Sequence, residues 1–184
     1  MITMIYGGSG SGKSAYAEDT LCSLFPGREK IDLATMEPAG EEGRKKVQRH
    51  RMLRAGKGFV TMECPRDVDR LADECRGKIL LLECLSNLVA NEMFVPGRDG
   101  AWRAKKSDEV VAKVLRELEV LGKASEHLFL VGNNVFEDGI AYDSSTTEYL
   151  RAMGKIHESM ASRVDCLVEV VVGIPLVLKG KIWA

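Results

Sequence analysis

Hydrophobic positions along this chain fall into two spacings. Short runs are apolar at almost every position, as in Leu80-Leu81-Leu82 and, Glu169 apart, from Val168 to Val172; central parallel strands covered on both faces have this character. Such runs predict strands at the N-terminus (Met1-Ile2-Thr3-Met4-Ile5-Tyr6) and over residues 30–34, 59–64, 78–83, 127–131 and 166–172. Longer stretches with helical spacing lie between them and predict helices over 13–24, 41–54, 67–75, 85–94, 108–123 and 146–163. Ser145-x-x-Glu148 reads as a capping box and Ser107 as a second cap. Pro96-Gly97-Arg98-Asp99-Gly100 reads as a loop, and the tail from Gly173 to Lys179 as a turn into an edge strand. Strands alternating with helices predict an α/β doubly wound, mostly parallel sheet flanked by helices, with its ligand at the carboxyl ends of the strands.

The first strand–helix junction carries the clearest chemistry. Gly7-Gly8-Ser9-Gly10-Ser11-Gly12-Lys13-Ser14 is a complete G-x-x-x-x-G-K-[ST] phosphate loop, placed after an apolar strand and before a helix. A polyphosphate needs several backbone N–H donors converging on it, and the glycines let the backbone approach. Lys13 supplies a point charge for the outer phosphates, and Ser14 a hydroxyl for Mg²⁺. Glu83, closing the run Ile79-Leu80-Leu81-Leu82, is the acid expected on the metal side, directly or through water, or against the nucleotide itself.

Composition narrows the partners. The 184 residues are 45% hydrophobic, enough for one buried core and a single domain over 1–184, and the formal net charge of -1 offers no global field for nucleic acid or an anionic membrane. No apolar run approaches the ~20 residues of a membrane span and no signal-like leader is visible, so a cytoplasmic small-molecule enzyme is expected. The cysteines Cys22, Cys64, Cys75, Cys84 and Cys166 form no C-x-x-C pair and read as core thiols.

A second dense constellation runs from Arg44 to Arg54. His50 sits there among cations, which lower an imidazole's pKa and keep it neutral and nucleophilic, and Arg51 and Arg54 are three apart on one helix. The same stretch also reads as an ordinary solvated basic face, with His50 structural. His127 and His157 read as structural.

The phosphate loop, Leu33-Ala34-Thr35, Gln48-Arg49-His50-Arg51-Met52-Leu53-Arg54, Thr61-Met62-Glu63-Cys64-Pro65, Leu81-Leu82-Glu83-Cys84-Leu85 and the closing Gly173-Ile174-Pro175-Leu176-Val177-Leu178-Lys179 together resemble the bifunctional adenosylcobinamide kinase/adenosylcobinamide-phosphate guanylyltransferases of cobalamin assembly. The resemblance implies a P-loop, RecA-like fold and two reactions: phosphorylation of the aminopropanol hydroxyl of adenosylcobinamide, then transfer of GMP from GTP through a guanylyl-histidine to give adenosyl-GDP-cobinamide. It implies His50 as the guanylylated residue and Lys13, Arg51, Arg54 and Mg²⁺ as holders of charge on the phosphates. Ala34, Thr35, Met36, Arg51, Met52, Leu53, Arg54, Glu63 and Glu83 match further nucleotide contacts. It also implies GTP or ATP as co-substrate and a homo-oligomer, with a trimer as one form.

The C-terminal half departs from that pattern. Where many members carry Asn-Glu-Val-Gly this chain has Asn133-Asn134-Val135-Phe136, and Leu150-Arg151-Ala152-Met153-Gly154-Lys155-Ile156-His157-Glu158 keeps only the glycine and a basic residue of another family stretch. A kinase or NTPase without a covalent step, a member with one activity lost, and a nucleotide-binding module without chemistry therefore stay open. Arg98, Arg103, Lys105 and Lys106 are candidate contacts to an anionic corrinoid phosphate, or a solvated loop.

Overall fold

The structure is a computed structural model that describes residues 1–37, 41, 52, 54, 56–97, 99–136 and 139–181. Seven strands form one sheet: β1 (Ile2–Gly7), β2 (Lys30–Ala34), β3 (Phe59–Glu63), β4 (Ile79–Glu83), β7 (His127–Asn133), β8 (Cys166–Val171) and β9 (Ile174–Lys179), while β5 (Phe94–Pro96) and β6 (Trp102–Ala104) form a separate hairpin. The order is β3-β2-β4-β7-β1-β8-β9, parallel throughout except that β9 runs antiparallel along β8. Helices α1 (Lys13–Leu24), α2 (Leu85–Met93), α3 (Ser107–Ala124) and α4 (Ser144–Arg163) flank it.

Period-two alternation in the central strands builds two cores. Ile5, Leu81, Phe129 and Val131 face α1 through Ala17 and Leu21, and Met4, Leu33, Leu80, Leu82 and Leu130 face α2, α3 and α4 through Leu88, Val114 and Met153. From β1 the chain crosses through α1 to β2 on one side, and from β7 through α4 to β8 on the other. That reversal opens a crevice at the carboxyl ends of β1, β4 and β7.

Several expectations change. Residues 67–75 do not form a helix beyond the single 3₁₀ turn Val68–Leu71: Asp67 is left-handed at φ 50°, and its N–H donates to Glu92 Oε1 at 2.8 Å. The cap of α4 is Asp143, whose carboxylate accepts from the N–H groups of Ser145 at 2.8 Å and Thr146 at 2.9 Å. Glu148 instead reaches across to accept from Ser107 N–H at 3.0 Å, so Ser145 and Glu148 make no capping box, and Ser107 opens α3 without a side-chain cap. The loop expected at Pro96 to Gly100 is the tip of the unforeseen β5–β6 hairpin, which shortens α2 to end at Met93. The edge strand expected after Gly173 is present as β9. Of the helix expected over 41–54, Glu41, Met52 and Arg54 are helical and the rest lies outside the described residues. All five cysteines are free thiols, with Cys64, Cys75 and Cys166 buried.

Candidate active site

The phosphate loop closes tightly on itself. Ser11 N–H donates to Gly8 O at 3.2 Å and Tyr16 N–H to Gly12 O at 3.0 Å, which starts α1 directly behind the loop. Gly12 has φ +90°, where a side chain would be strained. At Gly7 the reason for glycine is space: an added Cβ would stand 2.4 Å from Val170 O and 2.7 Å from Ser11 Oγ. Lys13 is buried, its Nζ donates to Gly8 O at 3.0 Å, and burial lowers its pKa below the ordinary lysine value. A buried ammonium folded back on its own loop is a charge held where incoming phosphate oxygens can take over the carbonyl's place. The Ser11 hydroxyl is buried without a hydrogen-bond partner among the described residues.

The loop looks across a cavity of about 320 Å³ lined by Ser9, Lys13 and Ser14 on one side and by Ala34, Met36, Arg54 and Glu83 on the other. Seven of the residues expected from the sequence thus converge. Gly7, Gly8, Gly10, Ser11 and Gly12 form the loop itself. Thr35 is buried and supports the rim from within: its N–H donates to Glu83 O at 3.0 Å and its hydroxyl to Cys84 O at 2.7 Å. Met52 is 68% exposed and Glu63 ends β3 at the surface; neither lines the cavity. His50, Arg51 and Leu53 lie outside the described residues, as does Arg98.

Arg54 is placed differently from a residue waiting for phosphate. It is 5% exposed and engages three carboxylates: Nε donates to Glu18 Oε1 at 2.9 Å, Nη1 to Asp32 Oδ2 and Nη2 to Glu83 Oε2. Strand register explains the meeting. Thr61, Asp32 and Leu81 are aligned across β3, β2 and β4, and two residues on, Glu63, Ala34 and Glu83 are aligned, so all six share one face of the sheet. That is the α1 face, from which Glu18 points inward. Asp32 and Glu18 were missed from the sequence. The available signal was polar Lys30 and Asp32 alternating with apolar Ile31 and Leu33 in a strand otherwise patterned for burial.

Ser14 and Glu83 offer hydroxyl and carboxylate oxygens, the donor chemistry Mg²⁺ takes. Glu83 can serve there once Nη2 of Arg54 gives way. Asn133, at the end of β7, also lines the cavity and donates to Ser86 Oγ at 2.6 Å.

A loop that cradles phosphates at the end of β1, with an acid at the end of β4 two strands away, is shared by many nucleotide-binding proteins; the family model for cobinamide kinase / cobinamide phosphate guanyltransferase matches residues 3–178. The chain belongs to that family. Bifunctional adenosylcobalamin biosynthesis protein CobU of Salmonella typhimurium is 27% identical over 186 residues, covering 97% of this chain and 100% of its own. The protein named CobP in Pseudomonas aeruginosa, with the same description, is 27% identical over 183 residues, covering 98% of this chain and 99% of its own. Among solved structures, an ATPase of a bacterial type III secretion system superposes with a TM-score of 0.52 at 14% identity, over 96% of this chain and 56% of the ATPase chain. That likeness concerns the fold alone: a mostly parallel P-loop sheet of the RecA-like kind.

Among the described residues no helix is long and apolar enough to cross a membrane. His127 packs its ring 4.8 Å from that of Phe25, and His157 lies between Tyr6 and Phe136 with Nε2 buried and without a hydrogen-bond partner among the described residues, so both sit in packed structural surroundings. Arg103 pairs with Asp99 at 2.7 Å on the β5–β6 hairpin.

Proposed function

We propose that this chain phosphorylates adenosylcobinamide and then transfers GMP from GTP to adenosylcobinamide phosphate through a guanylyl-histidine, giving adenosyl-GDP-cobinamide. The observation that carries the reading is the family match over residues 3–178, together with a complete phosphate loop facing Glu83 across one cavity. The backbone N–H groups of the loop and Lys13 bind the triphosphate and hold charge that develops on its oxygens. His50, neutral among its basic neighbours, attacks the α-phosphorus; an N–P bond forms as the bond to the pyrophosphate oxygen breaks, and pyrophosphate leaves. The cobinamide phosphate then displaces His50. Ser14 and Glu83 would hold Mg²⁺, which when bound neutralises phosphate charge. Ala34 and Met36 line the nucleotide's path, and Arg51 would hold charge on its phosphates. The enzyme works in the cytoplasm on small molecules and assembles as a homo-oligomer.

A narrower reading keeps GMP transfer and drops the kinase step. It is favoured by the stretch 150–158, where Arg151 pairs with Glu148 and Lys155 Nζ with Asp108 at 2.5 Å: both cations of this altered segment are spent on exposed ion pairs rather than on the cavity.

Incubation of the purified chain with GTP, Mg²⁺ and either adenosylcobinamide or its phosphate, read by mass spectrometry of the corrinoid, tests both. Conversion of the alcohol to phosphate and then to the GDP adduct is the expected result. Conversion of the phosphate alone selects the narrower reading, and an unchanged corrinoid with GTP bound rejects both.

A further inference from the structure

Arg54 is shared among three carboxylates. Glu18, Asp32 and Glu83 surround its one guanidinium beside a cavity lined by Lys13 and Ser14, and Lys57 Nζ lies 3.1 Å from Glu18 Oε2. Asp32 is 1% exposed; its Oδ2 takes Arg54 and the Thr61 hydroxyl at 3.0 Å, while Oδ1 is buried without a hydrogen-bond partner among the described residues. Burial raises the Asp32 carboxyl's pKa, opposed by Arg54 and Thr61, as expected where negative charge is crowded and dry.

The three acids are held unequally. Glu18 and Asp32 are almost wholly buried, on α1 and in mid β2, whereas Glu83 keeps 13% side-chain exposure at the end of β4 on the cavity wall. Glu83 is thus the arm of the cluster that can turn toward a ligand, and Glu18 and Asp32 are the two that stay.

We propose that Asp32 and Glu18 are positioning residues for the metal–nucleotide site: they hold Arg54 while Glu83 exchanges the guanidinium for the divalent cation arriving with the nucleotide. The proposal rests on the reading of Glu83 as the metal-side acid. With both buried acids in place, Arg54 keeps two partners when Glu83 swings away, so no buried cation is stranded. Remove one, and Arg54 leans more heavily on Glu83, so the cation must compete against a stronger ion pair. Arg54 in this arrangement acts on the nucleotide only through Glu83.

The test uses the full chain and measures GTP binding by calorimetry across a Mg²⁺ titration, with folding of each variant checked by circular dichroism. Asp32→Asn is expected to raise the Mg²⁺ concentration that half-maximally tightens GTP binding by about five- to ten-fold, with affinity for metal-free GTP changed less than about two-fold. Glu18→Gln shifts the midpoint the same way by a smaller factor. Arg54→Lys, whose single ammonium cannot span three carboxylates, shifts it down; this variant keeps the test decisive if Asp32→Asn fails to fold. Glu83→Gln removes the Mg²⁺ dependence. An unmoved midpoint in Asp32→Asn, Glu18→Gln and Arg54→Lys, alongside a Glu83→Gln variant that has lost the dependence, overturns the exchange while leaving Glu83 as the metal-side acid. Unchanged Mg²⁺ dependence in Glu83→Gln overturns that reading of Glu83 and the exchange with it. A fall in metal-free GTP affinity for Arg54→Lys, larger than its change in Mg²⁺ midpoint, would instead make Arg54 a direct phosphate ligand and contradict the proposal.

Discussion

Gly173 N–H donates to Ser11 O at 2.8 Å, so the turn between β8 and β9 rests on the phosphate loop. Gly12 lies under the same turn, its absent Cβ 3.4 Å from Gly173 Cα. The loop is therefore braced from the far edge of the sheet as well as by β1 and α1, and substitutions in it act on folding and on binding to different degrees.

Gly7→Ala should damage stability. Its methyl group would meet Val170 O at 2.4 Å and Ser11 Oγ at 2.7 Å; only the serine can turn away, so β1 and β8 must separate slightly. A loss of about 1–3 kcal/mol is expected. Chemical denaturation of the variant against wild type measures it, and an unchanged midpoint would contradict the close approach.

Lys13→Ala should do the reverse. Lys13 Nζ donates to the Gly8 carbonyl at 3.0 Å, and its buried ammonium carries a desolvation cost in the free protein. GTP affinity should fall about ten-fold or more while thermal stability holds or rises slightly. Calorimetric titration and a melting curve on one sample check both halves.

Two buried groups give stability opposite pH slopes. Burial pushes the His157 pKa down to about 4 from an ordinary 6.5, so the unfolded chain binds its proton first as pH falls through that window, and stability is lost on the way down. His157→Leu should recover about 1–3 kcal/mol near pH 4.5 relative to its effect at pH 8. Melting temperature against pH for both proteins reads it directly.

Glu117 works the other way. It is fully buried, and burial pushes its pKa up to about 7 from 4.5 even with Lys113 Nζ at 3.0 Å, because Glu92 shares the same lysine. The folded state holds this proton more tightly, so its contribution is most favourable below about pH 4.5 and declines as pH rises to about 7. Glu117→Gln should flatten that decline and be more stable than wild type, relative to pH 5, by about 1 kcal/mol at pH 8. A variant that keeps the wild-type slope would place the titration elsewhere.

How much of this could be read from the chain depended on whether the signal was local. The phosphate loop is contiguous, its chemistry is carried by eight successive residues, and the apolar runs of β1, β4 and β7 were visible because those strands are covered on both faces. Glu83 was legible as a strand-end acid. Asp32 and Glu18 were not: they join Arg54 across separations of 22 and 36 residues, and only strand register and the inward face of α1 bring them together. For the same reason Arg54 read as a phosphate contact, since a basic helix offers arginines without showing their partners. The 67–75 segment misled through its polar–apolar spacing; the anchor that prevents a helix, Glu92, is 25 residues away on α2. Asp143 outranked Ser145 as the cap of α4 because an ionised carboxylate accepts both free N–H groups at once.

Covalent transfer through His50 is the claim most directly open to test. Purified protein is incubated with Mg²⁺ and GTP labelled on the α-phosphate, in parallel with His50→Ala, then denatured. Label is expected to stay on the wild-type chain through alkali, to leave in acid as an N–P bond should, and to be absent from the variant. Tight GTP binding with no label on wild type, or equal label on His50→Ala, would contradict it.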